Sequence, residues 1–542
     1  MIKPPDPSER RFRDSRAMCY ELANSGISLP LLFSPQFIAC DAAFELILSG
    51  QSEVKPEPAD ARFQDPIWHQ NAIYRASMQA YLAWSDNLRA QVKQSTLGQT
   101  ERSFVENAVE QLISSLAPSS DSGGSPAQHA YESRGASLVH DLHRMTTDLF
   151  QHAESVRSTE QSRLQVGKHI AATPGAVIHR TEMLEVIQYT PLSAAVYRIP
   201  LLIIPSPVNR FYLCDLQNGN SLVHYLLKLG FQVYTISWRN PQNSHKHWNL
   251  ETYTEACIEA IEEINKLTPE GKLNLFGFAA GGMLSALACN VLNQRRREPA
   301  INSLTLAISS LLTHTASQVG TELNDKLVKA AKTLTLLHEA SDAKHLARNF
   351  AWLSPNNLLW NPLVCNYFSG ESSPGEDIFL WNSDTLRTTA GLHCDFLSMA
   401  QDNPLLDAGR LTLCNTAIDL SSIHCDSYTL AGSCDHITPW EACYQTSLAF
   451  GGDNEFVLVN RGHTRALVCP IDATDTCFYT KGEVTENPDD WLCDATQHRG
   501  SWWPHWSEWL AGRSGQQGEP ERHLGDEQHP KMDPAPGRYV FE

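Results

Sequence analysis

The sequence predicts an α/β fold over its last two thirds, preceded by a mainly helical domain. Three observations carry this. After Val166 short apolar runs appear, bounded by turn residues; helix-forming stretches lie between several of them; and one run opens through small residues directly into a helix. Strands that alternate with helices build a mostly parallel sheet covered on both faces.

The elements follow in order. Residues 1–50 show no clear period, with a short helix expected over Phe37 to Leu48. From Arg62 to Trp84 the aromatics Trp68, Tyr74, Tyr81 and Trp84 recur near helical spacing, which predicts a helix with one buried face. Glu101 to Leu116 and Ser137 to Glu160 add helical pattern, and the Ser/Gly/Pro-rich segment Ala117 to Gln128 reads as a loop. A helical domain over 1–165 is expected, with no catalytic constellation of its own. The expected strands are Ala176 to His179, Glu185 to Gln188, Leu201 to Ile204, Gln232 to Ser237, Leu273 to Phe276, Ser303 to Ile308, Asp426 to Leu430 and Glu455 to Val459. Helices over Ser221 to Leu229 and Thr252 to Lys266 fall between them. These make a second domain over 166–515. Within it a helical insertion at about 310–405 is placed to act as a cap over a site, or as a plain packing layer. The tryptophans of Ser501-Trp-Trp-Pro-His-Trp-Ser-Glu-Trp509 read as core anchors of a final helix, 516–542 as a polar C-terminal tail, and the proline-containing stretch Ser514 to Pro536 as mobile.

Composition narrows the function. A net charge of −19 argues against a nucleic-acid partner, which needs clustered Lys and Arg. The run Arg295-Arg-Arg297 sits where a helix should end and suits the helix dipole. Fourteen Cys occur without CxxC pairs or metal-ligand spacing, and the opening Met1-Ile-Lys-Pro-Pro-Asp6 is not a signal peptide, so reduced thiols in a cytoplasmic protein are expected. No apolar run approaches the ~20 residues of a membrane span, and no metal or redox cofactor is implied.

The chemistry gathers at Lys272-Leu-Asn-Leu-Phe-Gly-Phe-Ala-Ala-Gly-Gly-Met283, a strand, a tight turn and a helix start. In α/β-hydrolases this layout is the nucleophile elbow, Gly-x-nucleophile-x-Gly, whose glycines let the turn project one side chain above the sheet. Here that position is Ala279. A methyl group cannot attack a carbonyl or hold an acyl group. Taken alone, such a turn reads more readily as a glycine-rich packing turn, and the context makes the case for an elbow.

The base and its orienting acid are expected later in the chain, in the order acid, then His. Asp435 in Thr429-Leu-Ala-Gly-Ser-Cys-Asp-His-Ile-Thr-Pro-Trp440 is the candidate acid and His463 in Val459-Asn-Arg-Gly-His-Thr464 the candidate base, each directly after a strand. Open α/β sheets place their sites at such ends. His436 is a candidate supporting residue beside the acid. Cys434 is a poor replacement nucleophile, since neighbouring residues point to opposite faces. The oxyanion donors would be the N–H of Ala280 and one from Pro205-Ser-Pro-Val-Asn-Arg210, where Pro207 has none to give and Val208 or Ser206 must serve.

The chain resembles the polyhydroxyalkanoate synthases in several ordered stretches: Thr173-Pro-Gly-Ala-Val177, Ile187-Gln-Tyr189, Val208-Asn-Arg-Phe-Tyr212, Ser237-Trp-Arg-Asn-Pro241, Asp377-Ile-Phe-Leu-Trp-Asn382, Ala431 to Trp440, Gly462-His463, Gly500-Ser-Trp-Trp-Pro504 and Pro534-Ala-Pro-Gly-Arg-Tyr-Val540. The stretch Arg62 to Trp84 and Ala280-Gly-Gly282 are most similar to the medium-chain, pseudomonad type. The resemblance implies an α/β-hydrolase core and polymerisation of 3-hydroxyacyl-CoA into polyester, with CoA as leaving group. It implies a cysteine at position 279 with Asp435 as acid and His463 as base, self-association as a dimer, and a place at the surface of polyester granules. Ala279 departs from that pattern at the nucleophile; Pro207, Thr313 and Val468-Cys-Pro470 are smaller departures. Three readings follow: a synthase with alanine in place of its cysteine, a pseudo-synthase that serves as a binding scaffold, and an esterase or depolymerase with another nucleophile.

Overall fold

Apolar runs that alternate between two faces become the strands of one large sheet. In the computed structural model these are β1 (Gly175–Arg180), β2 (Leu184–Tyr189), β4 (Leu201–Ile204), β5 (Val233–Trp238), β6 (Leu273–Phe278), β7 (Ile301–Ala307), β10 (Asp426–Gly432), β11 (Asn454–Val459), β12 (Cys477–Thr480) and β13 (Thr496–Arg499). The short strands β3 (Val196–Tyr197) and β14 (Gln517–Gly518) pair with each other, as do β8 (Thr412–Leu413) and β9 (Thr416–Ala417). The structure describes residues 164–295, 300–312 and 376–542 except 436, 474–475, 482–484 and 522, with five positions between 78 and 89.

Two compact units divide the chain. One comprises residues 1–163 and 350–374, the other 164–349 and 375–542. In the first, Met78, Leu82, Ser85, Asp86 and Arg89 are helical, with Met78, Leu82 and Ser85 buried. The other helices and the loop expected in residues 1–160 lie outside the described residues, as does most of the expected cap, at 313–375.

The large sheet of the second unit runs β1-β2-β5-β4-β6-β7-β10-β11-β12-β13. Neighbours from β5 to β11 are parallel, and the outer pairs at both ends are antiparallel. Helices α1 (Leu222–Lys228), α2 (Leu250–Leu267), α3 (Ala280–Arg295), α4 (Glu376–Ser383), α5 (Ala390–Gln401), α6 (Trp440–Leu448), α7 (His463–Leu467), α8 (Pro488–Asp494) and α9 (Trp503–Ala511) complete it. Helix starts carry their caps: Ser221 accepts the His224 N–H, and Asn249 with Thr252 forms a reciprocal box.

Period-2 alternation splits the core into two layers. Leu202 and Ile204 of β4 join Leu275, Leu304, α2 and α3 in one cluster; Leu201 and Ile203 join Phe276, Phe278, Leu430, α1 and α9 in the other. Helix α3 is buried from Leu284 to Leu292 on every side, so it is held from both sheet and neighbours.

The expected mobile tail is corrected. Residues 516–542 fold back onto the second unit. The backbone at 532–535 pairs with β1, through Met532 N–H to Val177 O (2.9 Å), Val177 N–H to Asp533 O (2.9 Å) and Ala535 N–H to Gly175 O (3.0 Å). The buried carboxylate of Glu185 accepts the Arg538 N–H at 3.0 Å and the Tyr539 N–H at 3.1 Å, and it also pairs with Arg180. The segment is held by its backbone, while most of its polar side chains stay exposed. Among the described residues no helix is long and apolar enough to cross a membrane.

Candidate active site

Strand β6 ends at Phe278, Ala279 makes the turn, and α3 begins at Ala280. Ala279 has φ of 49°, the left-handed region that a residue with a Cβ enters at a cost of about 1–2 kcal/mol. Such strain persists only when the surroundings fix it. They do so here: Ala279 N–H donates to Ala307 O at 3.1 Å, and its carbonyl accepts from the Ser309 hydroxyl at 2.8 Å and from Gly282 N–H at 3.0 Å. The flanking glycines are needed for room. A Cβ on Gly277 would meet Ser285 Oγ at 2.3 Å, and one on Gly281 would meet Ile204 O at 2.1 Å.

Asp435 and His463 come together across 28 residues of sequence, with His463 Nδ1 2.7 Å from Asp435 Oδ2. Asp435 also accepts the N–H of Ile437 (2.8 Å) and Thr438 (3.0 Å) and the Thr438 hydroxyl (2.7 Å). Burial pushes the Asp435 carboxyl up, but the charge and hydrogen bond of His463, with the Thr438 donors, hold it below the ordinary carboxylate range. A proton on Nδ1 directed at this carboxylate leaves Nε2 as the basic nitrogen.

The dyad is joined to the elbow through the end of β7. The Thr438 hydroxyl lies 3.2 Å from Ile308 O and 3.3 Å from His463 Nδ1; Ser309, one residue on, holds the Ala279 carbonyl. Ala279 packs against the apolar cluster that includes Ile308, Ala466 and Leu467. Thus the carboxyl ends of β6, β7, β10 and β11, neighbours in the sheet, supply the turn, its brace, the acid and the histidine.

Tryptophan indoles fix the helix that carries His463. Trp502 Nε1 donates to Ala466 O at 2.7 Å and Trp503 Nε1 to Leu467 O at 3.2 Å. Gly432 lets the loop approach, since a Cβ there would stand 2.4 Å from Arg461 O.

The two expected oxyanion donors lie on abutting backbone segments. Ala280 is the first residue of α3, so its N–H lacks an intrahelical acceptor, and Gly281 beside it is pressed onto Ile204 and Pro205. Val208 N–H is 3.5 Å from Ser206 Oγ, a weak engagement, while its carbonyl accepts Leu386 N–H at 3.1 Å. Arg210 steadies this loop through Asp384 (3.1 Å), Tyr539 O (2.9 Å) and Glu542 O (3.1 Å).

His436 lies outside the described residues. Cys434 is exposed next to Asp435, 3.7 Å from Ser433 Oγ. Cys443 Sγ lies 3.7 Å from Thr438 O, but burial and the Asp435 charge push its thiol up and keep it protonated. Sequence reasoning missed Ser309 and Thr438. The Asp-x-x-Thr spacing at 435–438 is a turn signal that could have shown the second. Glu251, Glu255 and Cys414 bring their ligand atoms within 4.8 Å of one another, with Glu251 already accepting the Cys414 N–H at 2.6 Å.

Comparison with known proteins accounts for both units. Residues 59–226 match the family described as Poly-beta-hydroxybutyrate polymerase (PhaC) N-terminus, and 215–466 match the alpha/beta hydrolase fold. The chain is 36% identical over 532 residues to Poly(3-hydroxyalkanoate) polymerase 2 of Ectopseudomonas oleovorans, which covers 98% of this chain and 95% of that one. It is 35% identical to polymerase 1 of the same organism, over 92% of this chain and 89% of that one. It is 32% identical to the polymerase subunit PhaC of Cupriavidus necator, over 92% and 86%. With an α/β-hydrolase core and this likeness along nearly its whole length, the chain belongs to the poly(3-hydroxyalkanoate) polymerase family.

Proposed function

We propose that the chain carries the acyl-transfer site of a 3-hydroxyacyl-CoA polymerase, inactive as a polymerase because Ala279 occupies the nucleophile position. The observation that carries this reading is the Asp435–His463 pair, 2.7 Å apart and tied through Thr438 and the end of β7 to an elbow whose apex is a methyl group. With a cysteine at 279, His463 would take the thiol proton while Asp435 stabilises the imidazolium. The thiolate would take the hydroxyacyl group from CoA, and the N–H groups of Ala280 and Val208 would face the developing oxyanion. The hydroxyl of the next monomer would then attack that thioester. CoA enters as the leaving group, without a resident cofactor. The substrate assignment follows the names of the relatives, and the same reading places the chain at the polyester granule surface and expects a homodimer or pairing with an active polymerase.

The test compares this chain with its Ala279→Cys variant on a medium-chain 3-hydroxyacyl-CoA, scoring polymer. Loss of a nucleophile costs on the order of 10⁶ in rate, so polymer is expected from the variant alone. If the folded variant makes none, the synthase reading fails and a non-catalytic scaffold at the granule takes its place.

A further inference from the structure

The site retains a base and an oxyanion pocket around a methyl group, and that combination has a chemistry of its own. From this geometry we infer that the chain, with Ala279 in place, is a slow hydroxyacyl-CoA thioesterase in which His463 activates water for direct attack on the thioester. The inference rests on the acyl-transfer reading of the site.

Three features support it. His463 Nδ1 is engaged by Asp435, and among the described residues no group hydrogen-bonds Nε2, which leaves the basic nitrogen for water. Ala279 and His463 are both only partly buried, so water reaches the apex of the elbow. Ala279 also lacks the γ atom that would otherwise meet the carbonyl first, which leaves the attack on the thioester to water. A thioester suits this weak nucleophile, because a thiolate is a good leaving group.

The step balances without any further reactant. The water oxygen bonds to the carbonyl carbon as its proton passes to Nε2. The oxyanion of the tetrahedral intermediate faces the N–H groups of Ala280 and Val208. The carbon–sulfur bond then breaks, and the CoA thiolate takes the proton back from the imidazolium. One thioester and one water give one hydroxyacid and one CoA thiol.

The experiment follows CoA thiol and free hydroxyacid from a medium-chain 3-hydroxyacyl-CoA, using the full chain and its His463→Ala, His463→Gln, Cys434→Ser and Ala279→Cys variants. General-base catalysis by a positioned side chain contributes about 10²–10⁴-fold. The unmodified chain should therefore release CoA and hydroxyacid in equal amounts, at least about 10²-fold faster than either His463 variant and at the same rate as Cys434→Ser. Equal rates with and without His463 overturn the inference, as does loss of release in Cys434→Ser, which would make that thiol the nucleophile. Polymer from Ala279→Cys beside His463-independent release sinks this inference and leaves the acyl-transfer reading standing. His463-dependent hydrolysis without polymer from Ala279→Cys does the reverse.

Discussion

Gly281→Ala tests whether the elbow and the oxyanion loop are one packed unit. In an ordinary helix the change would stabilise by about 1 kcal/mol. Here the new Cβ would sit 2.1 Å from Ile204 O and 2.7 Å from the Pro205 carbonyl, both backbone atoms. To reach a normal contact of 3.4 Å the two segments must part by about 1.3 Å. Trp238 Nε1 holds Pro205 O at 2.9 Å, and α3 is buried along its length, so neither side yields freely. Overpacking of this kind costs about 1–3 kcal/mol, which against the helix gain of about 1 kcal/mol leaves a net change between about zero and a loss of about 2 kcal/mol. The same displacement moves the Ala280 N–H from the Val208 loop, and a 1 Å misplacement costs about 10²-fold in rate. Urea unfolding reads the first effect, and CoA release in the Ala279→Cys background reads the second. Gly219→Ala is the control, because nothing lies within 4 Å of its new Cβ. A Gly281→Ala protein more stable than the unmodified chain by the full helix gain of about 1 kcal/mol would refute the close-approach argument.

Two further outcomes follow from the electrostatics. Asp435→Ala removes a carboxylate that pairs His463 and satisfies three further donors; breaking such a buried pair costs about 3–5 kcal/mol, and a loss below about 1 kcal/mol by urea titration would contradict the pairing. Burial lowers the His393 imidazole to about 4 from an ordinary 6.5. Above pH 6.5 both states are neutral there; as pH falls toward 4 only the unfolded chain takes the proton, so stability drops across that window and levels off below it. Unfolding midpoints between pH 7 and 4.5 check this, and a His393→Gln variant should show the shallower slope.

The parallel strands were legible because burial on both faces leaves continuous apolar runs such as Leu201 to Ile204, bounded by turn residues. The elbow was legible from its glycines, although β6 runs two residues beyond the expected Phe276. Gly277 stays in the strand because its missing side chain admits Ser285 Oγ and Gly281 O. Asp435 and His463 could be picked from their positions after strands, but their contact required the fold; Thr438 stood in a readable turn spacing and Trp502 in a readable core helix, yet what they and Ser309 brace is set by partners far away in sequence. The return of 516–542 was hidden for a similar reason. A Pro-rich polar segment reads as solvated unless its partner is known, and that partner, Glu185, is a buried acid some 350 residues earlier whose strand reads as apolar.

That returning segment also occupies one border of the sheet. An outer strand with a free row of amides is a template for pairing with a second molecule. At β1 the row is taken by residues 532–535, and Pro534, within that stretch, has no N–H to extend the ladder. The opposite border, β13, presents Thr496, Gln497, His498 and Arg499, a polar margin that discourages the same pairing. Sheet-to-sheet annealing is therefore guarded at both borders, and a second chain that meets this unit finds no open ladder at either one.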